Sequence, residues 1–247
     1  MKKTCLITGG NGFLGTKYCN FFLKKNFKVY CIDINLKNIK KKKNFIPIKC
    51  DITKEREVEN LFNLISKKNF INVLINNAAI DAVPNKTKID NRYVSEKNWN
   101  QELDVGLKGS YLMIKYFGDK MYKKKQGSII NIGSDLSIIA PNQDIYKSYN
   151  NYIKPVTYSV IKHGLLGMTK YFASLYAENN VRVNMISPGS IKRNQDKKLT
   201  KQLKNIIPMN RLGNPDDVMG ILLYLASEYS NYTTGQNFLI DGGRTII

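Results

Sequence analysis

Thr8-Gly9-Gly10-Asn11-Gly12-Phe13-Leu14-Gly15 stands between a short apolar run at 5–8 and a helical stretch over about 13–25. In that position Gly9 and Gly12 permit a tight turn that a pyrophosphate can approach closely. Gly15 lets the following helix pack against the sheet, and the helix N-terminus offers unpaired N–H groups to an anion. Three glycines at this spacing also mark ordinary turns. Here they follow a strand and open a helix, so the stretch predicts a dinucleotide site at the first strand-to-helix handover of an α/β sheet.

The rest of the chain repeats the alternation. Short, often β-branched apolar runs at 5–8, 29–34, 45–48, 73–75, 129–132, 181–186 and 238–240 read as strands buried on both faces of a parallel sheet. Helical stretches at about 13–25, 54–67, 96–122, 158–178 and 215–227 separate them, the last opened by Pro215-Asp216-Asp217, a proline and two acids suited to a helix start. The order predicts an α/β doubly wound parallel sheet with helices on both faces and ligands at the carboxyl ends of its strands. No linker, low-complexity tract or repeat divides the 247 residues, so 1–247 is expected to form a single domain. No apolar run reaches the ~18–20 residues that would cross a bilayer, and Met1-Lys2-Lys3 leads straight into the first strand. A cytoplasmic protein without a membrane partner is expected.

The second strand ends at Asp33, about 20 residues past the glycine turn, where an acid can accept hydrogen bonds from an adenosine ribose and repel a 2′-phosphate. This favours NAD, with NADP the weaker choice; Lys37 nearby could neutralise a phosphate, and Asp33 could instead cap the following turn. The 39 Lys+Arg against 19 Asp+Glu give a formal charge of +20, which would suit a nucleic acid. The positive residues are nearly all lysine and spread along the chain, and the run Lys40-Lys41-Lys42-Lys43 reads as a solvated loop. The expectation is therefore a small-molecule substrate and no nucleic acid, with anionic ligands still open. Cys5, Cys19, Cys31 and Cys50 lie far apart and His163 is the lone histidine, so no metal site is expected.

Further motifs follow in order: Asp51-Ile52 after the third strand, Asn76-Asn77-Ala78-Ala79 closing the fourth, and Asn131-Ile132-Gly133-Ser134 ending the fifth. Then come Tyr158-Ser159-Val160-Ile161-Lys162, Ser187-Pro188-Gly189-Ser190-Ile191, Arg211-Leu212-Gly213-Asn214-Pro215, Thr234-Gly235-Gln236 and Asp241-Gly242-Gly243. Together they resemble the short-chain dehydrogenase/reductase family along the whole chain. The Tyr-x-x-x-Lys spacing alone recurs at Tyr93/Lys97, Tyr111/Lys115 and Tyr116/Lys120; only Tyr158 follows a serine-bearing strand end. The resemblance implies a Rossmann-type, single-domain, nicotinamide-dependent alcohol/ketone oxidoreductase with Ser134, Tyr158 and Lys162 as catalytic residues. It assigns the cofactor to Gly9, Asn11, Gly12, Phe13, Leu14, Gly15, Asp33, Asp51, Ile52, Asn77, Ala78, Ala79, Tyr158, Lys162, Pro188, Gly189 and Ile191. It also implies a homotetramer or homodimer built through the helices at 96–122 and 158–178 and the C-terminal segment.

Tyr158 and Lys162, four apart, share a helix face. A phenol with a pKa near ~10 is a poor base at neutral pH, and a neighbouring ammonium favours its phenolate. Tyr158 would then move a proton at the substrate oxygen while Ser134 orients it. The chain departs from the family pattern in places. Gly106, within Leu103-Asp104-Val105-Gly106-Leu107, stands where an asparagine usually helps hold a relay water, and Lys192-Arg193 stands where a carboxamide-binding threonine is usual. The Gly-x-x-Gly-x-x-Gly spacing is that of the extended branch, which includes sugar-nucleotide epimerases and dehydratases. An active-site insertion at about 135–157, rich in Tyr, Asn and Lys over 141–155, looks like that of enzymes in bacterial surface-glycan and flagellin modification. It points to a sugar or sugar-nucleotide substrate. The competing readings are an epimerase or dehydratase that recycles its NAD, and a dinucleotide-binding regulator without catalysis.

Overall fold

The computed structural model describes residues 2–37, 39–80, 93–147 and 152–247; positions 148–151 of the expected insertion fall outside the described residues. β1 (Thr4–Thr8), β2 (Lys28–Asp33), β3 (Phe45–Lys49), β4 (Val73–Asn76), β5 (Gly127–Ile132), β6 (Val181–Pro188) and β7 (Asn237–Ile240) form one sheet in the order β3-β2-β1-β4-β5-β6-β7. Every pairing is parallel, as Thr8 opposite Ile32 and Asn76 opposite Asn131 illustrate. The carboxyl ends of β1, β2, β4, β5 and β6 therefore share one edge, and the strand order reverses between β1 and β4, which opens a crevice there.

Alternate strand residues feed two cores. Leu6, Leu74, Ile129 and Val183 pack on one face against α2 (Glu55–Ser66), α4 (Gly109–Met113) and α7 (Val156–Tyr176). Cys5, Ile7, Ile75 and Ile130 pack on the other against α1 (Phe13–Lys24) and α9 (Met219–Ala226). Burying such side chains contributes about 1.5–3 kcal/mol each, which is why the strands read as unbroken apolar runs.

The predicted helix at 96–122 is longer and less regular than its periodicity implies. It runs as α3 (Glu96–Leu103), α4 and α5 (Asp119–Lys124), joined by π-helical turns at Asp104–Lys108 and Ile114–Gly118. Two helices had not been expected: α6 (Gln143–Lys147) within the insertion, and α8 (Lys197–Asn205). The second is mostly lysine and polar, with Leu199 and Leu203 its buried residues and Asp196 capping it by accepting from the Lys198 and Leu199 amides at 2.7 and 3.3 Å. It forms because Ile145, Tyr146 and Tyr152 of the insertion join Leu199, Leu203, Ile207 and Leu212 in a third, smaller core. Tyr146 and Leu203 of this cluster line the candidate active-site cleft.

Candidate active site

The glycine turn is held by backbone. Gly12 N–H donates to the Gly9 carbonyl at 3.0 Å and Gly10 N–H to the Ile32 carbonyl at 3.1 Å. Gly9 has φ +62°, and a Cβ there would sit 2.8 Å from Ala78 Cα. A Cβ on Gly15 would lie 2.0 Å from the Gly9 carbonyl oxygen, so the turn and α1 close only around glycine. Asn77 ties β4 to the same turn, its Nδ2 donating to the Thr8 and Gly9 carbonyls at 3.0 and 3.2 Å, while the Asn77 and Ala78 amides donate to Thr8 Oγ1. No side chain caps α1, which leaves its first amides directed to the crevice.

Asp33 caps the turn that follows it and also reaches back to the glycine turn. Its Oδ2 accepts from the Asn11 amide at 2.9 Å and its Oδ1 from the Asn35 amide at 3.0 Å, so it braces the glycine turn and caps its own loop. Each oxygen keeps a further lone pair for a ribose hydroxyl. Asn11 reaches the Asn35 carbonyl with its side chain at 2.7 Å. Burial raises the Asp51 pKa, but bonds from Thr53 and the charge of Lys54 outweigh it and hold the carboxyl below its usual range. Ile52 turns its side chain into the core, leaving its backbone as the part that can meet an adenine.

At the other end, Phe13, Leu14, Asn77, Ala79, Ser134, Tyr158, Lys162, Pro188, Gly189 and Ile191 line one cleft of about 270 Å³. The remaining residues assigned from the sequence, Gly9, Asn11, Gly12, Gly15, Asp33, Asp51, Ile52 and Ala78, lie under or beyond it. Lys162, 5% exposed, donates from Nζ to the Ile132 carbonyl at 2.9 Å and stands 5.6 Å from the centre of the Tyr158 ring. The α7 start that carries Tyr158 is fixed by a bond from Thr157 to Glu102 of α3. Gly106 leaves no room for a side chain: a Cβ would meet Ile161 Cγ2 at 2.5 Å, and its carbonyl accepts from Ser110 Oγ at 3.0 Å. Ile161 fills the space that a side chain at position 106 would enter.

Several cleft residues had no sequence assignment. Ser134 Oγ donates to Asp135 Oδ1 at 2.8 Å, and Asp135 Oδ2 pairs with Arg244 at 2.5 Å with both side chains 4% exposed. Arg244 is aimed there by Asp241, which accepts from the Gly243 and Thr245 amides and the Thr245 hydroxyl. Burial raises the Asp241 pKa, and these bonds together bring it below its ordinary value. Lys154 of the insertion reaches the Tyr158 ring, and Tyr146, Gln195 and Arg193 complete the wall, the Arg193 guanidinium 5.3 Å above the Phe13 ring. The Asp-Gly-Gly motif and the serine strand end each flanked these residues, but nothing in the sequence paired Asp135 with Arg244.

Comparison with known proteins agrees with this fold. A family model described as enoyl-(acyl carrier protein) reductase matches residues 14–245. The 3-oxoacyl-(acyl-carrier-protein) reductase FabG of Thermotoga maritima is 32% identical over 99% of this chain and 98% of its own. A short-chain dehydrogenase of Leptospira borgpetersenii, solved with bound NAD+, superimposes with a TM-score of 0.90 at 33% identity, covering 99% of this chain and 93% of that one. ElxO with NADP bound gives a TM-score of 0.85 at 26% identity over the full length of both chains. With its seven-stranded parallel sheet, its glycine turn and these relatives, the chain belongs to the short-chain dehydrogenase/reductase family.

Proposed function

We propose that the protein is an NAD-linked oxidoreductase that interconverts an alcohol and a ketone, with Ser134, Tyr158 and Lys162 as its catalytic residues. The observation that carries this reading is their convergence on one cleft with Phe13 and Leu14 of the glycine turn and Pro188, Gly189 and Ile191 after β6. Glycine-only packing at Gly9 and Gly15 and the uncapped start of α1 fit a pyrophosphate, and Asp33 beside them fits an unphosphorylated ribose. When bound, the nicotinamide supplies or accepts the hydride.

The chain's own residues manage the proton. Tyr158 takes it from the substrate hydroxyl in oxidation and returns it to the carbonyl oxygen in reduction. Lys162, anchored on the Ile132 carbonyl, holds positive charge near the phenol and can hold the nicotinamide ribose. Ser134 donates its hydroxyl hydrogen to Asp135 and accepts from the Leu136 amide at 3.2 Å, so its oxygen keeps one lone pair that can receive a substrate hydroxyl. To bind a ketone it turns that proton into the cleft.

The substrate class we propose is a sugar or sugar nucleotide. It rests on the lining of the cleft, where Tyr146 and Lys154 of the insertion and Gln195 after β6 are residue types that suit a polyhydroxylated ring. A homotetramer or homodimer fits the exposed Tyr111, Tyr171 and Leu175 on α4 and α7, and residues 1–247 serve as one domain. Titration with NADH and NADPH, followed by ligand fluorescence, tests the cofactor reading. Tight NADH and weak NADPH binding are expected. A preference for NADPH would overturn the role of Asp33, and binding of neither would remove the enzyme reading.

A further inference from the structure

We propose that Lys154 is a positioning residue for proton transfer: its ammonium, seated on the Tyr158 ring, favours the phenolate. The Lys154 Nζ lies 3.9 Å from the ring centre, against 5.6 Å for Lys162, so the closer of these two cations comes from the insertion and not from the Tyr-x-x-x-Lys motif. A cation over an aromatic face is attracted by the ring's π density, and that attraction grows when the ring carries the delocalised charge of a phenolate. Lys154 is only 8% exposed, which limits screening by water and salt.

The placement is built. Gln143 of α6 clamps the Lys154 backbone from both sides, its Nε2 donating to the Lys154 carbonyl at 3.1 Å and its Oε1 accepting from the Lys154 amide at 3.0 Å. Pro155 follows and caps α7, while Tyr146 and Tyr152, with ring centres 6.1 Å apart, lock the insertion onto α8. Among the described residues, the acids near the phenol are engaged with partners of their own. Asp135 at the end of β5 is matched by Arg244, and Glu102 of α3 is engaged with Thr157. Lys162 on α7 and Arg193 after β6 add positive charge, and His163 turns its ring to the Ser159 carbonyl at 3.0 Å.

The catalytic meaning of Lys154 rests on Tyr158 being the proton-transfer group; the electrostatic coupling does not. It is tested without any substrate by ultraviolet titration of tyrosinate in the full-length protein. Wild type minus Tyr158→Phe isolates the ionisation of Tyr158, and the same difference is taken in a Lys154→Met background. The midpoint is expected to rise by about one pH unit or more when Lys154 is lost, since an opposite charge within ~4–6 Å typically lowers an acid by that much. Lys154→Arg should keep the wild-type midpoint, and Lys154→Gln serves as the neutral variant if Lys154→Met does not fold. Coinciding midpoints in wild type and the neutral variants would overturn the proposal. If the midpoint moves but Tyr158→Phe keeps turnover, the coupling stands and the catalytic reading alone fails.

Discussion

The two walls of the cleft are built in different ways. The wall at the glycine turn is made of backbone: amides of Gly10 and Gly12 meet carbonyls of Ile32 and Gly9, and the Asn77 side chain closes on the Thr8 and Gly9 carbonyls. The facing wall is made of side chains brought from far apart, as with Asp135 and Arg244, 109 positions distant, or Gln143 gripping Lys154. A backbone wall tolerates few residue types, since at Gly9 and Gly15 even a methyl collides. A side-chain wall can be assembled from many combinations. The first kind suits a ligand common to a family, and the second is free to vary with the substrate.

Replacing one atom separates the two walls most sharply. Tyr158→Phe removes a hydroxyl from the side-chain wall and touches nothing in the glycine turn. Turnover is expected to fall by about 10²–10⁴-fold, the usual worth of a positioned acid/base, while NADH binding by fluorescence stays at the wild-type level. Retained turnover would break the assignment of the proton to Tyr158.

That same division decided what could be read from the chain. Strands buried on both faces announce themselves as apolar runs, and the Gly9, Gly12 and Gly15 spacing marks a turn whose backbone a ligand can approach. The sheet and the crevice were legible for those reasons. Asp33 allowed either a ribose contact or a cap, and its bonds to the Asn11 and Asn35 amides give it a bracing role compatible with the first. Helix α8 escaped notice because its periodicity consists of Leu199 and Leu203 among lysines, and the partners that bury them lie in the insertion. The ion pair at Ser134 was beyond reach, because Arg244 reads as one more surface cation until the chain is folded. Gly106 was visible as a departure, whereas the Ile161 methyl that occupies its space was not.

Arg244→Met probes how much stability the side-chain wall draws from one distant pair. It leaves the Asp135 carboxylate buried without its counter-ion, a change that typically costs about 3–5 kcal/mol. The midpoint of chemical denaturation should fall accordingly, and Ser134 should lose its fixed partner, lowering turnover with little change in NADH affinity. Asp135→Asn combined with Arg244→Met should recover part of the loss, because the uncompensated charge is gone. A single variant as stable as wild type would mean that the pair is solvated and does not organise the serine.

Gly15→Ala tests the backbone wall by the smallest change the chain permits there. Its Cβ would lie 2.0 Å from the Gly9 carbonyl oxygen and 2.8 Å from Gly10 Cα. Neither is the end of a flexible side chain, so the turn itself must move, and that carbonyl already accepts from Gly12 N–H and Asn77 Nδ2. Overpacking of this kind costs about 1–3 kcal/mol. NADH affinity should fall at least tenfold, because the amides of α1 are displaced from the crevice, while the Tyr158 ionisation midpoint should hold. Gly167→Ala on α7 is the matched control: a Cβ there meets nothing within 4 Å, so the added methyl should be neutral or stabilise by up to about 1 kcal/mol through helix propensity. Wild-type NADH binding by Gly15→Ala would show that the glycine turn yields as readily as the side-chain wall, and the contrast between the two would dissolve.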